Sequence, residues 1–266
     1  MRKKEQRRSS RSTPRINKMQ KGRPDHNQQS STETVLFGIH PISAILKKDP
    51  SRIIRVLYQG DLKGARGNLI NELRALNIEV DHARTKQIEH YAGDEQHQGV
   101  LAFVNAQAYQ PWSEMISTSG LLIALDQVTD PRNFGAILRS AEALGVRGAL
   151  ITSNRCARPG PVVAKTSAGA SELIPIAMVS NLATALEEAK VAGFQIIGAH
   201  MNGDAPSLIE WNKPTVLVIG AEGKGLRNKT QQLCNQFATI PLIGQTESLN
   251  ASVAAAILIY EASVKK

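Results

Sequence analysis

The stretch Leu121–Arg139, LLIALDQVTDPRNFGAILR, decides how the chain folds. Leu121 to Asp126 is a short apolar run closed by one carboxylate, as expected of a strand covered on both faces. Asp130 then precedes Pro131, the pairing of an N-cap with proline at the first helical position. The segment therefore reads as strand, loop and helix, with the helix running to about Leu144.

The same alternation continues to the C-terminus. GALIT, IPIAMV, QIIGAH, TVLVIG and FATIPLI read as strands, and Pro161–Ala168, Leu182–Ala192 and Ala251–Val264 as helices. Nearly continuous apolar strands between helices predict an α/β fold with a mostly parallel sheet. A smaller α/β unit precedes it. There FGIHPISAIL predicts a short helix opened by Pro41, IIRVLY a strand, Leu62–Leu76 a helix, IEVDHA a strand, Lys86–Tyr91 a helical turn and GVLAFVN a strand. The expected organisation is a basic tail over 1–34, a first domain over 35–105, a linker over 106–120 and a second domain over 121–266.

The 266 residues carry a net charge of +9, unevenly placed. The first 34 residues hold ten Lys/Arg against Glu5, Asp25 and Glu33, with almost no large apolar side chains. Such a segment is expected to be disordered and to serve either as a phosphate-attracting arm or as a solubilising extension. No apolar run approaches the roughly 20 residues of a membrane span, and the N-terminus lacks a secretory apolar stretch. Cys156 and Cys234 are far apart in sequence with no C-x-x-C, which argues against a disulfide scaffold or a cysteine zinc site and fits a reducing cytosol. The histidines show no metal-ligand spacing, so no metal is expected.

Ligands of open α/β sheets bind beyond the carboxyl ends of the strands, and three strand ends carry unusual loops. In the first, Asn133 and Arg139 lie about 120° apart around a helix. Arg139 there is either a solvated charge or a phosphate clamp. The second, GAEGKG from Gly220 to Gly225, permits close approach to backbone but reverses the dinucleotide fingerprint. The third gathers Gly244, Glu247, Ser248 and Asn250 before the Ala-rich last helix. One polar residue suffices to cap that helix, which leaves the others unexplained.

In this order and spacing the segments NFGAILR (Asn133–Arg139), IGAEGKGL (Ile219–Leu226) and IPLIGQTESLNASVAAA (Ile240–Ala256) resemble the three motifs of the SpoU/TrmH family of RNA ribose 2′-O-methyltransferases, in the SPOUT superfamily. The similarity spans 121–266. Residues 35–105 resemble the ribosomal-protein-like RNA-binding domain of many members, and the whole is most similar to bacterial enzymes that methylate a guanosine in 23S ribosomal RNA.

The resemblance implies a C-terminal trefoil knot that holds S-adenosylmethionine through Gly220, Ile240, Gly244 and Leu249. It assigns Asn133, Arg139, Glu222, Ser248 and Asn250 to the catalytic site. It implies an RNA substrate, a homodimer built through the knotted domain and a cytoplasmic location. The rivals are a tRNA ribose methyltransferase, which the small first domain disfavours, and a non-catalytic ribosome-assembly factor, which the intact polar residues disfavour. A nicotinamide dehydrogenase would need a glycine fingerprint that DPRNFG does not supply.

Overall fold

The structure, a computed structural model, describes residues 33–93 and 97–265. The basic tail, apart from its last two residues, lies outside the described residues.

The first sheet comprises β1 (Glu33–Phe37), β2 (Ile53–Tyr58), β3 (Glu79–His82) and β4 (Val100–Asn105), in the order β1-β4-β2-β3. Helices α1 (Ile39–Lys48), α2 (Gly64–Ala75) and α3 (Thr85–Ala92) accompany it. Strand β1 corrects the sequence reading, which gave Phe37 to a helix. Phe37 instead pairs with Leu101, and the helix starts only after Gly38, whose φ is 93°. The partner that makes an edge strand of Glu33–Phe37 lies more than sixty residues away, so no local pattern announces it.

The second sheet comprises β5 (Leu121–Asp126), β6 (Gly148–Thr152), β7 (Ile176–Val179), β8 (Gln195–Asp204), β9 (Thr215–Gly220) and β10 (Gln236–Ala238). Its order is β10-β8-β9-β5-β6-β7, and every neighbouring pair is parallel. Helix α4 (Trp112–Met115) precedes it. Between the strands run α5 (Pro131–Ala143), α6 (Pro161–Thr166), α7 (Ala170–Leu173), α8 (Leu182–Val191) and α9 (Asn228–Leu233), and α10 (Ala251–Val264) ends the chain.

Alternation along the strands builds two cores. Leu121, Ile123 and Leu125 of β5 join Leu217 and Ile219 of β9 beneath α5 and α10. Leu122, Ala124, Val216 and Val218 face the opposite layer under α8. Successive side chains of a strand point to opposite faces, which is why these strands are apolar along their length, with Asp126 and Thr215 only at their ends.

Two expectations change. The strand expected over FATIPLI stops at Ala238, where its register against β8 shifts. Pro241 has no N–H for a ladder, and Leu242 and Ile243 are exposed. Helices α7 and α9 were not expected. α9 (NKTQQL) buries only Thr230, so it has no apolar period to read.

The two sheets meet through α1, α6 and α7. Ala164 of α6 is packed into the core of the first sheet. Arg52 donates to Glu172 Oε2 at 2.8 Å, and Lys48 Nζ donates to the Glu172 and Leu173 carbonyls at 3.0 and 2.7 Å. At the same contact a Cβ on Gly169 would lie 2.8 Å from Ala44 Cβ. The segment expected as a linker is anchored as well. Trp112 is buried and donates through Nε1 to the Ala185 carbonyl at 3.0 Å.

Strand β5 sits at the turning point of the topology. It is flanked by β6, its successor in sequence, and by β9, some ninety residues later. Loops leaving the carboxyl ends of β5 and β9 diverge there, and such a point is where sheets of this class open a crevice.

Candidate active site

Strand β5 ends at Asp126, which is fully buried. A buried carboxylate needs partners, and Arg227 supplies two: its main-chain N–H at 3.0 Å and its Nε at 2.6 Å. The sequence reading missed this pair, although a lone Asp closing an apolar strand was the signal for it.

From β5 the chain turns through Asp130, whose side chain accepts from Arg132 N at 2.9 Å and caps α5 ahead of Pro131. This places Asn133 in the first turn of α5. From β9 the chain turns sharply, with Ala221 and Gly225 exchanging main-chain hydrogen bonds of 3.1 and 2.8 Å. Gly223 and Gly225 take φ of 75° and 64° to close the turn, which presents Glu222 and Lys224 to solvent. The turn folds back on Gly220. A Cβ there would stand 2.3 Å from the Gly225 carbonyl carbon, so only glycine fits.

The third loop runs from Thr239 to Asn250. Among the described residues, Ile240 to Leu249 form no hydrogen bond. Asn250 caps α10, its Oδ1 accepting from Ser252 N at 2.9 Å and from Ser252 Oγ at 2.6 Å. The cap is thus Asn250, and Ser248 is left exposed beside it.

These loops meet in one chain of side-chain hydrogen bonds. Asn250 Nδ2 donates to Asn133 Oδ1 at 3.0 Å, and Asn133 Nδ2 donates to Glu222 Oε2 at 3.0 Å. The three strand ends singled out in the sequence are therefore tied together by Asn133, Glu222 and Asn250. Arg139 and Ser248 are not drawn into this chain. Both are exposed, and their side chains make no hydrogen bond or ion pair within the described residues.

Of the four residues expected to hold the cofactor, Gly220 is buried at the end of β9, and Ile240 packs against the core. Leu249 is half-buried, and Gly244 has nothing within 4 Å of a built Cβ. Unpaired main-chain groups, aliphatic walls and open space beside a glycine suit a ligand held mainly through backbone and apolar contact. In that respect the residues fit S-adenosylmethionine.

Burial elsewhere pushes two thiols up, Cys156 to about 11 and Cys234 to about 12. Among the described residues no three metal-binding side chains gather, and no helix is long and apolar enough to cross a membrane.

Residues 120–260 match the SpoU rRNA methylase family, and residues 35–110 match the RNA 2′-O ribose methyltransferase substrate-binding family. The chain is 37% identical over 237 residues to the 23S rRNA (guanosine-2′-O-)-methyltransferase RlmB of Photobacterium profundum, covering 86% of this chain and 96% of that one. It is 35% identical, with the same coverage, to RlmB of Shewanella oneidensis. Among solved structures, the SpoU methyltransferase AviRb of Streptomyces viridochromogenes in complex with AdoMet superposes with a TM-score of 0.74 at 26% identity. That superposition covers 88% of this chain and 90% of AviRb. With two family models spanning both sheets and relatives matched almost end to end, the chain belongs to the SpoU rRNA methylase family.

Proposed function

We propose that the protein transfers a methyl group from S-adenosylmethionine to the ribose 2′-hydroxyl of a guanosine in 23S ribosomal RNA. The observation that carries this reading is the Asn250–Asn133–Glu222 chain, which gathers all three motif loops at one strand-end crevice. The RlmB names of the relatives supply the substrate class.

S-adenosylmethionine supplies a methyl group already activated by its sulfonium. The chain's own task is to align the 2′-oxygen and manage its proton. Gly220, Ile240, Gly244 and Leu249 hold the cofactor. Asn133 and Asn250 orient the ribose, Glu222 fixes Asn133, and Ser248 contacts phosphate. A guanidinium is a poor base at ordinary pH. With no carboxylate partner in the described residues, the charge of Arg139 is available to bind the neighbouring phosphate and stabilise the developing alkoxide.

On this reading residues 35–105 hold RNA, and 121–266 carry the cofactor and the knot, with 239–250 as the knotted loop. The enzyme works in the cytoplasm as a homodimer. Helix α10 supports the dimer. It buries Ala255, Leu258, Ile259 and Ala262, yet Val253, Ile257, Tyr260 and Val264 form an exposed stripe at helical spacing. A helix apolar on all sides needs cover on all sides, and a second copy of the same helix provides it.

The test is incubation with labelled S-adenosylmethionine and either in vitro transcribed 23S rRNA or bulk tRNA, followed by mapping of the methylated nucleotide. Label on one guanosine ribose of 23S rRNA is expected. Label in tRNA alone overturns the substrate, and label in neither makes the protein a non-catalytic RNA-binding factor.

A further inference from the structure

On the same edge of the second sheet, but on the β6–β7 side, an open cavity of ≈ 540 Å³ lies beyond the ends of β5, β6 and β7. Gln127, Asn154, Arg155, Ser180, Asn181 and Arg227 line it, and no carboxylate does. None of these residues belongs to the motif loops' hydrogen-bond chain, so the proposed chemistry leaves the cleft unused.

Its two cations are held in different ways. Arg227 is fixed through Nε on buried Asp126, and its outer nitrogens make no hydrogen bond within the described residues. Arg155 is exposed, makes no hydrogen bond or ion pair there, and sits at φ 57°. Gln127, across the cleft, sits at φ 65°. Left-handed backbone at non-glycine residues costs stability and collects at sites that bind or react. Here two such residues face one cavity. Asn181 uses Oδ1 to cap α8 by accepting from Ala183 N at 3.0 Å, which leaves its amide donors for a ligand. The cleft thus offers two guanidinium groups and amide and hydroxyl donors at the start of a ten-residue helix, the chemistry that receives a phosphodiester and a base edge.

Continuity with the crevice names the occupant. Gln127 and Asn133 leave the same strand, and Arg227 and Glu222 belong to one loop. We infer that this cleft binds the phosphate of a nucleotide flanking the methylated one, held between Arg155 and Arg227, so that it sets the register of the RNA strand over the crevice. The inference rests on the reading of the protein as an RNA methyltransferase.

The test uses the full chain and in vitro transcribed 23S rRNA. RNA affinity is measured by filter binding across a salt series, and methyl transfer is measured separately. Arg155→Gln is compared with Arg155→Lys and with Lys213→Gln. Lys213 precedes β9, at the opposite end of the sheet, and its loss removes the same charge. Arg155→Gln is expected to weaken RNA binding about tenfold and to reduce the slope of log affinity against log salt by about one. Affinity for S-adenosylmethionine should be unchanged, and Arg155→Lys should recover most of the slope. An unchanged slope for Arg155→Gln, or an equal fall in Lys213→Gln, overturns the cleft. If wild type binds the transcript without methylating any RNA, the parent reading fails, while the salt series still decides the cleft.

Discussion

Asn250 Nδ2 donates to Asn133 Oδ1 at 3.0 Å, joining the cap of the last helix to the first turn of a helix 117 positions earlier. The other end of the same amide accepts from Ser252 and holds the start of α10. One side chain therefore does a local structural task and a long-range one through different atoms, and substitution can separate them.

Asn250→Ser keeps a capping oxygen but loses the donor to Asn133, whereas Asn250→Ala loses both. Serine caps about as well as asparagine, and alanine costs about 1 kcal/mol. Urea unfolding should therefore find only the alanine variant weakened, while both variants lose about tenfold or more in methyl transfer, about 1.4 kcal/mol of transition-state stabilisation. Full activity in Asn250→Ser would remove the amide chain from the site.

Arg52 and Glu172 hold the two sheets together at 2.8 Å with side chains only 13% and 5% exposed. Arg52→Ala leaves the carboxylate with Ser171 Oγ at 3.3 Å as its remaining side-chain partner. Removing one partner of a buried pair costs about 3–5 kcal/mol, and urea unfolding should show a loss of that order. A loss below about 1 kcal/mol would mean the pair behaves as a solvated surface contact.

Burial holds the Cys156 and Cys234 thiols at about 11 and about 12 against an ordinary value of 9.0. Between those values the native state keeps protons that the unfolded chain releases. The stability these thiols contribute is therefore full below pH 9 and falls as pH rises through 11 and 12. At pH 8 the native thiolate population should be about 100-fold below that of a free thiol for Cys156, and further below for Cys234. Timed alkylation of the native protein and of the protein in urea checks this. Native labelling as fast as denatured labelling would contradict it.

Ile257 stands in the middle of the exposed stripe of α10. Ile257→Lys places a charge where a second copy is proposed to pack, so light scattering should report a dimer for wild type and a monomer for the variant. Circular dichroism should be unchanged, since the core of the domain lies on the opposite side of the helix. A wild-type monomer would dispose of the dimer.

Much of this architecture was legible because second-sheet strands such as LLIALD and TVLVIG are apolar on both faces, a pattern fixed by their burial between two helix layers. What escaped depends on partners distant in sequence. Strand β1 becomes a strand only by pairing with β4, and α9 is polar because it buries little. The site divides in the same way. The motif loops were visible as surplus polar residues at strand ends, but which of them touch was not, and Arg227 lay in plain view with nothing local to couple it to Asp126.

Arg139→Lys discriminates between the two roles an arginine can take beside a ribose hydroxyl. Arg139 is exposed and has no partner in the described residues, so either side chain should leave stability within about 0.5 kcal/mol of wild type. A clamp depends on the fixed fork of the guanidinium against phosphate, which a lysine ammonium does not reproduce. The lysine variant should then lose about 100-fold in methyl transfer, with unchanged affinity for S-adenosylmethionine. A base depends instead on losing a proton, and an ammonium loses one far more readily than a guanidinium. If Arg139 were the base, Arg139→Lys would recover activity as pH rises from about 7 toward 10. The expected profile stays low across that range. Near-full methylation at neutral pH with unchanged RNA affinity would end the clamp, and a rise toward wild type at alkaline pH would make position 139 the base.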